Sequence, residues 1–400
     1  MKDIQIKKLI ESEKKRQKSV INLIASENIV SKDVLEALGS ELTNKYAEGY
    51  PGKRYYGGNQ IVDKIESIAI DRARKLFGLK ENLWHVNTQP LSGSPANLAV
   101  FLSLVPLGGK IMGMTLSHGG HLTHGHKVSM TGKAWVQVPF GVDPHTEVID
   151  YEEVKKIALA EKPAIIVAGF TAYPRAVDFK KFREIADLCG AFLMVDMSHF
   201  AGLVAGKVYA SPFLYADVVT TTVHKTLRGP RSALIFSRND KTLLDAKGRQ
   251  QSISDLIDKA VFPGLQGGPH LNQIAAVAVA LKEAATPAFK KYAAQVKKNA
   301  AVLASELQKL GWKIISGGTD SHLILVDVWM NGRGMSGAEA SDRLEKAGII
   351  VNKNTIPGET RGAFDPSGIR LGTASETTRG KKEKDMKKIA ETINKVLRKK

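Results

Sequence analysis

The sequence predicts an α/β protein built on a mainly parallel sheet. Its clearest unit is an apolar strand at 164–170, an amphipathic helix at 178–190 and a second apolar strand at 191–198. Strand, helix and strand with short connections form a right-handed crossover, which makes the two strands parallel. Apolar and β-branched runs at 216–223 and 232–238 add further strands.

The N-terminal part precedes this alternation and is expected to be helical with one irregular stretch. Residues 4–18 have helical periodicity, and Ser31 is a suitable N-cap for a second helix running toward Lys45. The stretch 46–59 is rich in Gly and Tyr, so we expect irregular backbone there. A further helix is expected over 61–77.

The C-terminal part changes character at about residue 270. It becomes mainly helical and then forms a smaller α+β portion, with strands in WKIIS and HLILVDVW and a helix at 339–347. We therefore predict an N-terminal arm at 1–30, a large α/β domain at 31–280 and a small C-terminal α+β domain at 281–400.

Composition limits the class of protein. Cys189 is the only cysteine in 400 residues, which excludes an intrachain disulfide and fits a reducing compartment. The N-terminus is too charged for a signal peptide and no apolar run could cross a bilayer, so we expect a cytoplasmic protein without a membrane partner. The net charge of +18 raises the alternative of a nucleic-acid-binding protein. The excess Lys is spread over amphipathic helices without interleaved aromatic residues, which favours a solvated surface.

Polar residues close three of the predicted strands. Asp196 and His199 follow one strand, Thr222 and Lys225 follow another, and Thr171 follows a third. Ligands of open α/β sheets bind at the carboxyl ends of strands. A lysine and a carboxylate there suit pyridoxal phosphate, which needs a Schiff-base lysine and an acid that keeps its pyridine nitrogen protonated.

A phosphate cradle is predicted at SGSPAN (92–97), which joins a turn to a helix N-terminus. Each of these features also has an ordinary explanation, because most lysines are solvated, strand-end Asp residues cap turns and SGS is a common turn. Lys225 fits the ordinary explanation less well, because strands disfavour lysine. From the residues alone, a cofactor site and a set of ordinary features both remain open.

Longer motifs run in order through nearly the whole chain. They are LIASEN (23–28), LTNKYAEGYPGKRYYGG (42–58), SHGGHLTHG (117–125), VVTTTVHKTLRGPR (218–231), FPGLQGGP (262–269), VNKN (351–354) and SGIRLGT (367–373). Together they resemble the motifs of the serine hydroxymethyltransferase family. The resemblance implies the aspartate-aminotransferase-like fold of type I pyridoxal-phosphate enzymes. It also implies interconversion of serine and tetrahydrofolate with glycine and 5,10-methylenetetrahydrofolate, through an external aldimine, Cα–Cβ cleavage and one-carbon transfer.

The resemblance also implies the cofactor contacts. Lys225 is the implied Schiff-base lysine, Asp196 the partner of the pyridinium nitrogen, and His121 the residue stacked on the ring. His199 is implied to lie near the phenolic oxygen. The other implied contacts are Ser92, Gly93 and Ser94 at the phosphate, Thr171 and His224, and Tyr46, Gly267 and Gly268 from a second subunit.

Substrate and folate contacts follow from the same resemblance. Arg370 is implied to clamp the substrate carboxylate, a bidentate role that suits guanidinium better than ammonium. Glu48 is the implied acid/base and, with Tyr56, crosses from a second subunit, so the resemblance implies a homodimer or a tetramer with shared active sites. The other implied residues are Ser26 and Arg231 at the substrate, Thr222, Lys225 and His121 in catalysis, and Asn354, Phe262, Leu116 and Leu122 at folate.

Several positions depart from the usual family pattern. Val223 removes a hydroxyl near Lys225, Leu91 stands where His or Tyr is frequent, and Ser232-Ala233 replaces a Gly pair. None of these changes removes a group that carries the reaction.

Two further alternatives are an aldolase that does not use folate and a metal site. A threonine aldolase would keep the cofactor without using folate, whereas Glu48, Tyr56 and Asn354 favour folate. A metal site would have to use the histidines of one loop, which lack Cys or carboxylate partners nearby, so we predict none. These histidines are His118, His121, His124 and His126.

Overall fold

The central feature of the computed structural model, which describes residues 1–244 and 247–399, is a large seven-stranded sheet. Its seven strands within those residues are, in chain order, β1 (Trp84–Asn87), β2 (Lys110–Met114), β3 (Val136–Phe140), β4 (Ile165–Val167), β5 (Phe192–Asp196), β6 (Val218–Thr222) and β7 (Ala233–Arg238). They lie side by side in the order β1-β7-β6-β5-β4-β2-β3. Neighbours from β6 to β3 are parallel, and only β7 runs antiparallel to both its neighbours. The predicted α/β fold with a mainly parallel sheet is confirmed.

Helices surround this sheet and continue beyond it. They are α1 (Ile4–Ser19), α2 (Lys32–Leu38), α3 (Gln60–Phe77), α4 (Gly93–Leu104), α5 (Met130–Ala134), α6 (Tyr151–Glu161), α7 (Phe179–Cys189), α8 (Ala201–Ala205), α9 (Ile253–Lys259), α10 (Leu271–Ala284), α11 (Pro287–Lys309), α12 (Gly337–Lys346), α13 (Ala374–Thr378) and α14 (Glu383–Arg398). In the part of the chain that the structure describes, no helix combines the length and apolar character needed to span a bilayer.

Both faces of the central sheet are buried. Ile165 and Val167 of β4 pack into one apolar cluster with α4, whereas Ile166 packs into another with α7. Alternate side chains of a strand point to opposite faces, so a sheet covered on both sides needs the continuous apolar run seen here.

The β4–α7–β5 unit shows why the local sequence folds as predicted. Asp178 caps α7 by accepting a hydrogen bond from the backbone N of Lys181, at 3.1 Å. Gly190 ends the helix with a φ of 71°, a left-handed conformation that favours glycine. The chain then enters β5, whose last residue is Asp196.

A second, antiparallel sheet lies in the C-terminal part. Its strands are β8 (Lys313–Ile314), β9 (Leu323–Asp327), β10 (Asn352–Asn354) and β11 (Gly368–Gly372), arranged β8-β9-β11-β10. Helices α11, α12 and α14 pack on it around a separate apolar cluster. Ile21–Asn22 pairs in parallel with Ile349–Ile350, which joins the N-terminal segment to this part.

One predicted helix is shorter than expected. Ser31 caps α2 as predicted, by accepting from the backbone N of Val34, but the helix ends at Leu38 instead of running toward Lys45. Gly39 and Ser40 interrupt it, because glycine disfavours helix and the hydroxyl of Ser40 bonds back to a helix carbonyl. Within the expected irregular stretch, Gly49–Tyr50 pairs with Lys53–Arg54 in a short hairpin.

Candidate active site

A cavity of about 170 Å³ lies where β5 and β6 end, beside the N-terminus of α4. The predicted residues that line it are Ser92, Gly93, Ser94, His121, Thr171, Asp196, His199, Thr222, His224, Lys225 and Arg231. The parallel strands bring these residues together from distant parts of the sequence, as expected for the carboxyl edge of such a sheet.

Lys225 follows β6 and presents its amine to the cavity. Its Nζ donates to Oγ1 of Thr222 at 2.9 Å, and its backbone carbonyl accepts from Nδ2 of Asn28 at 2.9 Å. Burial lowers the pKa of the amine to about 8, although the charge of Asp196 acts in the opposite direction. A lysine with a lowered pKa is a nucleophile near neutral pH.

Asp196 is a buried carboxylate that is held in its ionised form. It accepts from Nδ2 of Asn97 at 2.9 Å, from Nε2 of His124 at 3.2 Å and from the backbone N of Ser198 at 3.1 Å. Burial alone would raise its pKa, but the hydrogen bonds from His124, Ser198 and Asn97 outweigh burial and hold the pKa well below its usual value. An ionised carboxylate here can pair with a cationic ring nitrogen.

The start of α4 forms a small polar cradle. Ser92 precedes the helix in extended backbone, its hydroxyl makes no capping hydrogen bond, and the first turn carries no acidic residue. A Cβ on Gly93 would lie 2.7 Å from Cγ2 of Thr222, so only glycine leaves this space open. Two hydroxyls, those of Ser92 and Ser94, and the free N–H groups of a helix N-terminus fit a phosphate group.

Two histidines at the cavity, His121 and His224, are neutral. His121 accepts on Nδ1 from the backbone N of Thr123 at 3.1 Å, and burial together with the neighbouring His124 lowers its pKa to about 4. Burial lowers the pKa of His224 to about 3. Among the described residues, Nδ1 of His224 has no hydrogen-bond partner.

Arg370 lies in β11 and faces the same region. Its Nη1 donates to the backbone O of Thr171 at 2.7 Å, while Nη2 and Nε donate to Oδ1 of Asn352 at 2.8 and 3.3 Å. Burial lowers the pKa of Arg370 to about 10, and its charge lowers the pKa of Lys225. These bonds use three of the five N–H donors and leave one on each terminal nitrogen, which suits a carboxylate.

A second group of predicted residues gathers outside the cavity. Tyr46 OH donates to Oε1 of Glu48 at 3.3 Å, and the Tyr46 and Tyr56 rings meet edge to face at 5.5 Å. A Cβ on Gly267 would lie 3.3 Å from Oε1 of Glu48, and one on Gly268 would lie 3.2 Å from the Tyr46 ring. The charge of Glu48 raises the pKa of Tyr56. These five residues form one cluster, and none of them lines the cavity in the described chain.

The remaining predicted residues do not line the cavity in the described part of the chain either. Leu122 follows His121 and is exposed, and Leu116 begins the short turn Leu116–His118. The Phe262 ring meets Tyr55 at 5.7 Å. Nδ2 of Asn354 donates to the backbone O of Thr355 at 2.6 Å. Ser26 comes directly after Ala25, which packs against Gly372.

The histidines of residues 118–126 have separate partners. Nδ1 of His118 accepts from the backbone N of Val142 at 3.0 Å, whereas His124 bonds to Asp196. Within residues 1–244 and 247–399, no group of three or more His, Cys, Asp or Glu side chains is placed to hold a metal ion.

Four residues of the site had no predicted role. Asn97 belongs to the SGSPAN motif and Asn352 to VNKN, but neither motif predicts a role for these side chains. His124 is one of the histidines of the 118–126 loop, and His322 lies at the start of the predicted strand HLILVDVW. Their partners are 18 to 123 residues away in sequence, which local patterns do not reveal.

Comparisons with known proteins agree over nearly the whole chain. The family model described as "Serine hydroxymethyltransferase" matches residues 1–393. A curated relative named "Serine hydroxymethyltransferase", from Desulfotalea psychrophila, is 54% identical over 395 residues, covering 99% of this chain and 88% of the relative.

Proposed function

Since this chain belongs to the serine hydroxymethyltransferase family, we propose that the cavity at Lys225 interconverts serine and tetrahydrofolate with glycine and 5,10-methylenetetrahydrofolate, using pyridoxal phosphate. One observation supports the assignment of this reaction to the cavity residues. A buried lysine with a lowered pKa faces the same cavity as an ionised Asp196 and an open helix N-terminus. This set matches the aldehyde, pyridine nitrogen and phosphate of that cofactor.

The cofactor and the protein have separate tasks. Bound pyridoxal phosphate supplies a protonated ring that takes up the electron pair left at Cα when the Cα–Cβ bond breaks. Asp196 keeps the proton on the ring nitrogen, because hydrogen bonds from His124 and Asn97 stabilise its negative charge. Ser92, Gly93 and Ser94 hold the phosphate. Lys225 would hold the cofactor's aldehyde group through Nζ, and the free amine would keep a proton that Nζ donates to Oγ1 of Thr222.

Arg370 orients the amino acid. Because Thr171 and Asn352 occupy three of its donors, its remaining N–H pair has a fixed direction. A carboxylate held by that pair is positioned with little further loss of entropy, which is the main advantage of a preorganised site. Ser26 and Arg231 are proposed as additional substrate contacts.

We further propose that the working unit is a homodimer whose sites are shared. Tyr46, Glu48, Tyr56, Gly267 and Gly268 form a cluster of their own, outside the cavity. Helix α1 buries none of its residues in the single chain and exposes Ile4, Ile6, Leu9 and Ile10. A second copy would cover this apolar face and bring its Glu48 cluster to the cavity.

In such a dimer, the partner's cluster supplies the acid/base. Glu48 holds or donates a proton at the hydroxymethyl oxygen of serine, and Tyr56 lies beside it. Asn354, Phe262, Leu116 and Leu122 are proposed to contact the folate. The compartment is proposed to be the cytoplasm. Domains at 1–30, 31–280 and 281–400 are also proposed. Two separate apolar clusters support a large and a small domain, but Phe289 and Val296 of α11 pack in the larger cluster and Leu23 packs in the smaller one.

A complementation experiment tests both the reaction and the sharing of sites. Lys225→Ala and Glu48→Gln should each abolish folate-dependent cleavage of serine. Refolded together in equal amounts, they should recover about a quarter of the wild-type activity, because half of random pairs are mixed dimers with one intact site. An inactive wild type contradicts the proposed reaction, and an active wild type without recovery contradicts the shared sites.

A further inference from the structure

The backbone on both sides of Glu48 is held by hydrogen bonds from other parts of the chain. Nη1 of Arg54 donates to the backbone O of Ala47 at 2.9 Å and to that of Gly49 at 2.6 Å. The backbone N of Tyr55 donates to the O of Glu48 at 3.0 Å. Three consecutive carbonyls are therefore bonded. Ala47 and Gly49 are buried, whereas Glu48 between them is partly exposed.

Gln89 is a second side chain that holds this segment. It follows β1 and is 2% exposed. Its Nε2 donates to the backbone O of Gly49 at 2.9 Å and to Oε1 of Glu66 at 2.9 Å. A backbone carbonyl can only accept, so the amide nitrogen and not the amide oxygen must face Gly49. Among the described residues, Oε1 of Gln89 is buried without a hydrogen-bond partner, so its donors alone orient the amide.

Two carboxylates of α3 lie behind Gln89 and Arg54. Besides the bond from Gln89, Glu66 accepts from Nη2 of Arg54 and from Oγ1 of Thr88, and Glu66 is 1% exposed. Asp63 accepts from Nε of Arg54 at 2.9 Å. Asp63 and Glu66 are three residues apart, so they share one face of α3. This helix therefore fixes the direction of both side chains that donate to Gly49.

The backbone of Gln89 is itself held in place. Nε2 of Gln266 donates to the O of Gln89 at 2.8 Å, and Oε1 of Gln266 accepts from the backbone N of Leu91 at 3.0 Å. The backbone N of Gln89 donates to Oδ1 of Asn87 at 2.9 Å. Gln89 is thus a fixed link between the end of β1 and the hairpin that follows Glu48.

We propose that Gln89 is a positioning residue for Glu48, because its amide, oriented by Glu66, holds the carbonyl of Gly49 and so fixes where the Glu48 carboxylate lies. This inference rests on the proposed function in taking Glu48 as the acid/base. An acid/base must lie within hydrogen-bond distance of the atom whose proton it moves, so a looser backbone at Glu48 lowers turnover. Serine binding depends on Arg370 in the proposed site and should change little.

Two variants remove this support in different ways. Gln89→Met keeps the approximate length and shape of the side chain but removes both donors. Glu66→Gln acts one step further away: whichever way the new amide turns, its NH₂ group faces a donor of Arg54 or of Gln89. Arg54 keeps Asp63 as its counter-charge in this variant. Gln308→Met is the matched control, because Nε2 of Gln308 donates to the backbone O of Gly317 at the surface.

Amide hydrogen exchange measures the hold on this backbone without substrate. Exchange of the peptide that contains Tyr55, whose N–H donates to Glu48, should be about three- to tenfold faster in Gln89→Met and in Glu66→Gln than in the wild type, the effect of losing one hydrogen bond. Gln308→Met should match the wild type there, and peptides from α7 should exchange alike in all four proteins, as the control for folding. Unchanged exchange at Tyr55 in both variants would overturn the proposal.

Steady-state kinetics of the cofactor-loaded proteins provide the second readout. The kcat for folate-dependent cleavage of serine should fall at least about tenfold in Gln89→Met and Glu66→Gln, with the affinities for serine and pyridoxal phosphate within about threefold of the wild type. An unchanged kcat, or an equal loss of kcat and of both affinities, would overturn the positioning role. A wild type that does not cleave serine would contradict the proposed function instead, and hydrogen exchange alone would then decide whether Gln89 holds the backbone at Glu48.

Discussion

Removal of the Arg370 guanidinium should affect the binding of one ligand, serine, and not that of the cofactor. Arg370→Ala should weaken the binding of serine strongly and leave the affinity for pyridoxal phosphate nearly unchanged. The reason is that Thr171 and Asn352 leave two N–H groups of Arg370 unused, and these two are proposed to bind only the substrate carboxylate.

The magnitude follows from these two N–H groups. A hydrogen bond to a charged group contributes about 1.5–3 kcal/mol, so two contribute about 3–6 kcal/mol, or roughly 10²- to 10⁴-fold in affinity. The serine affinity of Arg370→Lys should lie between those of Arg370→Ala and the wild type, because one ammonium group cannot bind Thr171, Asn352 and a carboxylate together. Asn352→Ala keeps the guanidinium but removes the side chain that accepts two of its hydrogen bonds. This variant should bind serine about tenfold more weakly.

Isothermal titration calorimetry of serine into the cofactor-loaded protein measures these affinities. Cofactor affinity is measured separately by equilibrium dialysis, as the control for each variant. Serine affinity in Arg370→Ala within about threefold of the wild type would refute the assignment of the carboxylate to Arg370.

Two further predictions concern the cofactor. Gly93→Ala should weaken cofactor binding at least about tenfold, because its Cβ would meet Thr222, whereas Gly362→Ala, which has open space, should have no effect in the same dialysis assay. Borohydride trapping of the cofactor on Lys225 should speed up with pH and level off just above the amine's lowered pKa of about 8, because only the neutral amine attacks. In Asp196→Asn the trapping rate should level off at lower pH, since Asp196 raises the pKa of Lys225. A wild-type rate that levels off only near the pKa of free lysine would contradict the burial of Lys225.

Local patterns predicted the sheet and the residues at its edge. The run from Asp178 to Gly190 carries its own cap and stop, so the helix between β4 and β5 was predictable to within a residue. Asp196 and Lys225 could be expected to meet because parallel strands align their carboxyl ends. The same reasoning failed at Gly39, where one glycine ended a helix that periodicity alone would have continued.

Contacts between distant side chains were not predictable. His124 stabilises Asp196 from 72 residues away, and His322 meets His199 from 123 residues away. No periodicity relates such pairs, because tertiary packing alone brings them together. The family resemblance, rather than any local pattern, implied that the Glu48 cluster crosses from a second subunit. The separation of this cluster from the cavity in a single chain supports the proposed shared site.

The most direct test follows the hydroxymethyl carbon of serine. Serine labelled with ¹³C at that carbon is incubated with the cofactor-loaded protein, with and without tetrahydrofolate, and the products are followed by ¹³C NMR. The label should move to methylenetetrahydrofolate with equal formation of glycine, and only when folate is present and Lys225 is intact. Cleavage that ignores folate would indicate an aldolase, and no cleavage at all would contradict the assignment of the reaction to this cavity.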